Sequence, residues 1–209
     1  MKISDSLFKV CNHILNNNTL YKLRCIRDIF YSKWISNEFE SAKNVTFRKP
    51  IMVIGGKSIE IGLNTKICKY TVLSTWGGDD NHTKLKIGGK CNIGEYNHIT
   101  AANSISIGNG VLTGRWVTIT DNSHGRILES EMDIEPQKRD VYSKGPVIIG
   151  NNVWLGDKVT VCPGVHIGDG CVIGANAVIT KDIPPYCVAC GNPAKVVKII
   201  KDNNTNERV

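Results

Sequence analysis

From Ile149 onward, every sixth residue of this 209-residue chain is apolar: Ile149, Leu155, Val161, Ile167, Ile173 and Ile179. The residue after each is small (Gly150, Gly156, Cys162, Gly168, Gly174, Thr180). The fourth residue after each is compact (Val153, Val159, Val165, Cys171, Ala177, Ile183). A period of six fits neither an α-helix at about 3.6 nor, as a whole, an alternating strand at about 2.0. It fits a solenoid in which each hexad supplies one short strand and one corner. Three hexads then close a triangular coil, and coils stack at the parallel-strand spacing of about 4.8 Å. The apolar head of each hexad points inward. The small residue after it fits a corner where a larger side chain collides or where the backbone needs unusual dihedrals.

The template recurs earlier with less regularity: Ile61-Gly62, Ile67-Cys68, Ile87-Gly88, Ile93-Gly94, Ile99-Thr100 and Ile105-Ser106. A two-residue shift then gives Ile107-Gly108, Thr113-Gly114 and Ile119-Thr120. The expected fold is therefore mainly β, a parallel β-helix of hexapeptide repeats, with an aliphatic core because aromatic content is only 7%.

Eight cysteines raise the question of a disulfide scaffold. The first residues, MKISDSLFKV, lack a continuous apolar run with a small-residue cleavage site, and no stretch approaches the 18 or so apolar residues of a membrane span. A cytoplasmic protein with free thiols is the expectation. Cys91 and Cys171 take the compact fifth hexad position, and Cys68 and Cys162 the small second one, as packing residues do. Cys187-Val-Ala-Cys190 has the form of a metal half-site, but no second CxxC or nearby histidine pair accompanies it, so no metal is expected. The formal charge of +7 is scattered without interleaved aromatics or a nucleic-acid motif; an anionic small molecule suits it equally.

Three regions follow. Residues 1–48 lack the hexad, and Leu7, Val10, Ile14, Leu15, Leu20, Leu23, Ile26 and Phe30 recur at helical spacing, which predicts one or two helices capping the solenoid end. A membrane-surface helix is the alternative, given Lys9, Lys22, Arg24 and Arg27 near aromatics. Residues 49–190 form the β-helix, interrupted by a polar loop at 74–84 and a longer charged insertion at 125–146. Residues 191–209 leave it through Gly191-Asn192-Pro193, with a short strand or helix around Val196–Ile200 and a tail expected to be disordered.

Several runs now carry a family resemblance: Val153-Trp154-Leu155-Gly156, Pro163-Gly164-Val165-His166-Ile167-Gly168, Val172-Ile173-Gly174-Ala175, Thr180-Lys181-Asp182-Ile183-Pro184-Pro185 and Gly191-Asn192-Pro193-Ala194-Lys195. The chain resembles the hexapeptide-repeat acetyltransferases, most of all the branch of maltose, galactoside and capsular or exopolysaccharide O-acetyltransferases. The close match covers about 105–200, and the N-terminal third departs from the maltose and galactoside enzymes. The resemblance implies a left-handed β-helix, a homotrimer with sites between neighbouring prisms, and acetyl-CoA as acyl donor in the outer groove.

By that resemblance, His124 stands at the catalytic histidine. A neutral imidazole suits the removal of a hydroxyl proton during attack on a thioester. Asn97 resembles an asparagine that positions the reacting groups, although an asparagine at a hexad corner also serves as a turn residue. A backbone N–H of Gly156 or Asp157 would stabilise the oxyanion. Trp154 would flank the acceptor and cofactor pocket, Ala175, Thr180 and Lys181 would meet the coenzyme, and Lys195 and Lys198 would meet its phosphates. The expected activity is O-acetylation of a sugar or polysaccharide-precursor hydroxyl. An antibiotic or serine hydroxyl, an amino sugar and a non-catalytic scaffold are the alternatives. The zinc-dependent γ-type carbonic anhydrases share the helix but need three histidine ligands, two close in sequence, and His98 and His124 are far apart. His13, His82 and His166 have no assigned role.

Overall fold

The computed structural model describes Lys9 and residues 16–76 and 84–200. Three parallel sheets wrap a triangular prism. The first face stacks five strands from Ile59–Ile61 to His166–Ile167. The second runs from Thr46–Phe47 to Cys187–Gly191, and the third from Met52–Ile54 to Val178–Ile179. The chain visits the faces in turn, so each strand pairs with the one a full coil away. Parallel β-helix architecture is thus what the six-residue period encodes. The strand ladder begins at Thr46–Phe47, slightly ahead of the expected boundary at 49.

In-register stacking builds the core. Ile61, Ile87, Ile107, Ile149 and Ile167 form one inward column, and Leu73, Ile99, Ile119, Val161 and Ile179 another. All ten are at most 3% exposed. At roughly 25 cal/mol per Å² of apolar surface, each such side chain contributes about 2 kcal/mol by burial.

The corners decide between the two readings of the small second position. A Cβ on Gly156 would sit 2.7 Å from the Ala175 backbone nitrogen, so the close approach of the next coil excludes a side chain there. Positive φ instead falls two residues later, at Asn152, Lys158 and Asn176, which are not glycine. Between the second and third faces Tyr70, Tyr96 and Trp116 share that positive φ with Lys158 and Asn176, and the three rings stack at 4.7 and 5.1 Å.

Helix α1 (Asn17–Ile35) precedes the prism, N-capped by the Asn16 side chain on the Thr19 N–H. It docks on the first coil: Ser32 Oγ accepts from the Phe47 N–H at 2.8 Å, and Phe39 stacks on Phe47. The expectations for residues 1–8 and 10–15, for His13 and His82, and for the tail from 201 lie outside the described residues. The end of the prism carries a strand, Ala194–Ile199, folded back antiparallel on Cys187–Gly191.

Candidate active site

The insertion at 125–146 is an ordered arm rather than an open loop. Its base is a two-stranded antiparallel ribbon in which Asn122–His124 pairs with Val141–Ser143, and short helical turns at Glu129–Met132 and Pro136–Lys138 form its tip. The arm rises from the corner between the third and first faces. A cleft of about 600 Å³ lies between it and the prism, with Ser123, Ile127, Leu128 and Tyr142 on the arm facing Cys162, Pro163 and Thr180. Burial pushes the Cys162 thiol up, partly offset by Lys144, so it remains protonated at neutral pH.

His124 is exposed at the ribbon's end and pairs with Val141. Ser123 and Tyr142, the neighbouring pair, line the cleft; strand alternation turns His124 to the opposite side. Thr180 and Lys181 occupy the same prism edge as the arm's base, both exposed.

The remaining expected residues gather elsewhere. Trp154 is exposed on the second face, and Gly156, Asp157 and Ala175 form the next corner. Trp154, Val172, Val188 and Lys198 are in register across four adjacent strands, making a row along the prism axis. The strand pair at its end carries a bulge between Val188 and Ala189 that leaves Val197 unmatched. As a result Lys195 pairs with Cys190 and Lys198 with Val188, two residues of one outward face. Within one chain the expected residues thus form two groups on different edges of the prism: His124, Thr180 and Lys181 on one, Trp154, Asp157, Ala175, Lys195 and Lys198 on the other.

Two expectations are corrected. Asn97 does not reach a groove. It is 0% exposed, its Oδ1 accepts from the Val117 N–H at 2.7 Å, and its Nδ2 donates to Thr113 Oγ1. Residue 97 is the compact fifth position of its hexad, not a corner, so its amide is spent joining consecutive coils. The Gly156 N–H is likewise committed, donating to the Ile173 carbonyl at 2.8 Å, and cannot serve an oxyanion. Asp157 stands at the outer corner, where its carboxylate accepts from the Arg115 N–H at 2.8 Å.

Asp121 was not singled out from sequence. It is fully buried, and its carboxylate accepts from the N–H groups of Ala102, Asn103 and Ser104 at 2.8, 2.9 and 2.6 Å. It clamps the neighbouring coil's corner directly beneath the arm that carries His124. The only sequence signal is an aspartate at the end of a hexad strand, which also reads as an ordinary turn residue.

The Cys187-Val-Ala-Cys190 segment lies in one strand with Cys187 buried and Cys190 exposed, so the two thiols face opposite sides and cannot share a ligand. Among the described residues no group of three potential metal ligands converges.

Residues 146–181 match the bacterial transferase hexapeptide family (six repeats). An Escherichia coli K12 protein bearing the name of a lipopolysaccharide biosynthesis O-acetyl transferase, WbbJ, is 42% identical over 110 residues, 51% of this chain and 56% of that one. The galactoside O-acetyltransferase of Escherichia coli K12 is 41% identical over 101 residues, 48% of this chain and 47% of that one. The chain thus spans about half the length of these curated relatives. A solved galactoside acetyltransferase in complex with coenzyme A superposes with a TM-score of 0.52 at 29% identity, covering 81% of this chain and 70% of that chain. The stacked hexads, the three-sided prism and these matches agree: residues 146–181 carry a bacterial transferase hexapeptide repeat, wound as part of a parallel β-helix.

Proposed function

We propose that this protein is an acetyl-CoA-dependent O-acetyltransferase acting on a hydroxyl of a sugar or polysaccharide precursor. The observation that carries the reading is the row on the second face. Trp154, Val172 and Val188 give an apolar track along the prism axis, and it ends at Lys195 and Lys198 on one outward face. Four strands at about 4.8 Å spacing make the track roughly 14 Å long. Coenzyme A has matching polarity, with an extended, weakly polar arm bearing the thioester and a phosphate-rich nucleotide at the far end. Two lysines meet phosphate as point charges. The names of the relatives, a lipopolysaccharide O-acetyl transferase and a galactoside O-acetyltransferase, support acetyl transfer to a sugar hydroxyl.

His124 acts as general base. Its imidazole takes the acceptor hydroxyl's proton as the oxygen attacks the thioester carbonyl, and coenzyme A leaves as the thiol. No enzyme-bound acyl group forms, because both substrates are held together. With the Gly156 N–H committed to the coil, the Asp157 N–H at the same corner is the donor for the developing oxyanion.

The separation of the two groups supports a homotrimer. His124, on an exposed arm turned from its own cleft, and the Trp154–Lys198 row, on another edge, belong to one site only when neighbouring prisms pack side by side. Thr180 and Lys181 then contact the coenzyme from the prism that supplies His124, and Ala175 contacts it from the other.

The test is acetyl-CoA turnover across sugar, serine and antibiotic acceptors, with binding of acetyl-CoA measured separately by thermal shift. Turnover with a sugar hydroxyl that His124→Ala lowers about a hundredfold while coenzyme binding persists is expected. A chain that does not bind acetyl-CoA would overturn the reading.

A further inference from the structure

Helix α1 is inverted in polarity. The side it presents to the β-helix holds Asp28, Ser32 and Ile35, all buried, and two of these three are polar. They are satisfied by hydrogen bonds: Ser32 Oγ with the Phe47 backbone, and Asp28 with Arg27 at 2.6 Å and Arg48 at 3.4 Å. The opposite side holds Leu23, Ile26, Phe30 and Trp34, at helical spacings of three and four. Each is more than half exposed, and Phe30 reaches 70%. Ile29, 68% exposed, widens the stripe. An ordinary surface helix packs its apolar stripe on the core and turns its polar side to water. Here the core takes the polar side, and the apolar stripe is left for another surface.

The charges around the stripe indicate what that surface is. Lys22, Arg24, Arg27 and Lys33 lie along the same helix, whose one acidic residue is Asp28, turned inward. Beside it a cleft of about 250 Å³ is lined by Arg24, Arg27, Arg48, Lys49, Lys66 and Lys69, against Asp28 and Glu95. An exposed apolar stripe bordered by cations complements an anionic lipid surface, where apolar side chains enter the acyl boundary and cations meet headgroup phosphates. No described helix is long and apolar enough to cross a membrane, which leaves the interfacial mode for α1.

We infer that the outer face of α1 docks the protein on an anionic membrane leaflet, lying flat with Leu23, Ile26, Phe30 and Trp34 inserted. The inference is independent of the acetyl-transfer reading: it concerns where the protein sits, and transfer to a soluble acceptor requires no membrane.

The test is sedimentation of the full chain with vesicles of phosphatidylcholine alone and of phosphatidylcholine with phosphatidylglycerol, at low and high salt. The expected result is binding to the anionic vesicles only, weakened by salt. Ile26→Asp with Phe30→Asp should reduce the bound fraction at least about tenfold, and Lys22→Gln with Lys33→Gln should do so on anionic vesicles by a similar factor. These side chains are exposed, so a retained melting transition confirms folding. No binding by the wild type, or equal binding by wild type and Ile26→Asp/Phe30→Asp, would overturn the inference. So would dissociation of a wild-type oligomer by that variant without any wild-type vesicle binding; the stripe would then be a contact between copies of the chain.

Discussion

Lys195 and Lys198 point to the same side of the last strand, although residues three apart in a regular strand face opposite ways. The bulge opposite Val188 and Ala189 leaves Val197 unmatched and resets the alternation, so both ammonium groups project from one outer face. Reversing both charges (Lys195→Glu, Lys198→Glu) should raise the KM for acetyl-CoA by about tenfold or more with a much smaller change in kcat. Deleting Val197 removes the bulge but leaves the two lysines two positions apart in a regular strand, on one face and opposite Cys190 and Val188, so it should change the KM far less than the double charge reversal. Steady-state kinetics at varied acetyl-CoA concentration checks both.

His124 donates no packing to the core, so its removal separates chemistry from folding. His124→Ala should keep the wild-type melting temperature within a degree or two and retain coenzyme binding, while turnover falls about a hundredfold. A fall in melting temperature to match the lost turnover would assign the residue to the arm's structure instead.

Asn97→Ala should behave in the opposite way. It strands the Val117 N–H in the prism interior and leaves the Thr113 hydroxyl with the Gly94 N–H as its remaining partner, a loss of about 2–3 kcal/mol. Turnover per folded molecule should stay near wild type. Adding Thr113→Val should lower stability further, because Thr113 Oγ1 also accepts from the Gly94 N–H at 2.8 Å and its loss leaves a second backbone donor unmet; denaturant melts of the single and double variants measure this coupling.

Asp121→Ala removes the acceptor for three N–H groups at once and should cost about 3 kcal/mol or more, seen as a large shift in the denaturation midpoint. Because the clamped corner lies beneath the arm, activity should be lost before the prism unfolds, which a comparison of inactivation and unfolding temperatures would reveal.

The thiols should differ in reactivity. Cys190 is exposed, while burial pushes the Cys91 and Cys171 thiols above their ordinary value of 9.0. A thiol-reactive probe at neutral pH should label Cys190 first and Cys91 and Cys171 only on unfolding, as mass spectrometry of peptides would show. The raised values favour the neutral thiol in the folded chain, so their stabilising contribution is full below the ordinary thiol range. It declines as pH rises through that range toward the folded values.

The sequence alone determined the architecture. The apolar head, small second and compact fifth residues of each hexad follow from local geometry: one strand, one corner, and a neighbouring coil too close for a side chain at Gly156. That period also held the information that residue 97 points inward, since it occupies the same place as Val153 and Val159; that its amide joins two coils was visible only in the fold. The tertiary structure alone decided matters that depend on which backbone groups are already taken. It committed the Gly156 N–H to Ile173, gave Asp121 three donors from another coil, and folded the 125–146 insertion into a ribbon that turns His124 away from its own cleft. It also placed a bulge that no residue type announces and set α1 with its polar side inward. Each arises from contacts between segments that are not neighbours along the chain, and a periodic pattern records only what neighbouring residues impose on one another.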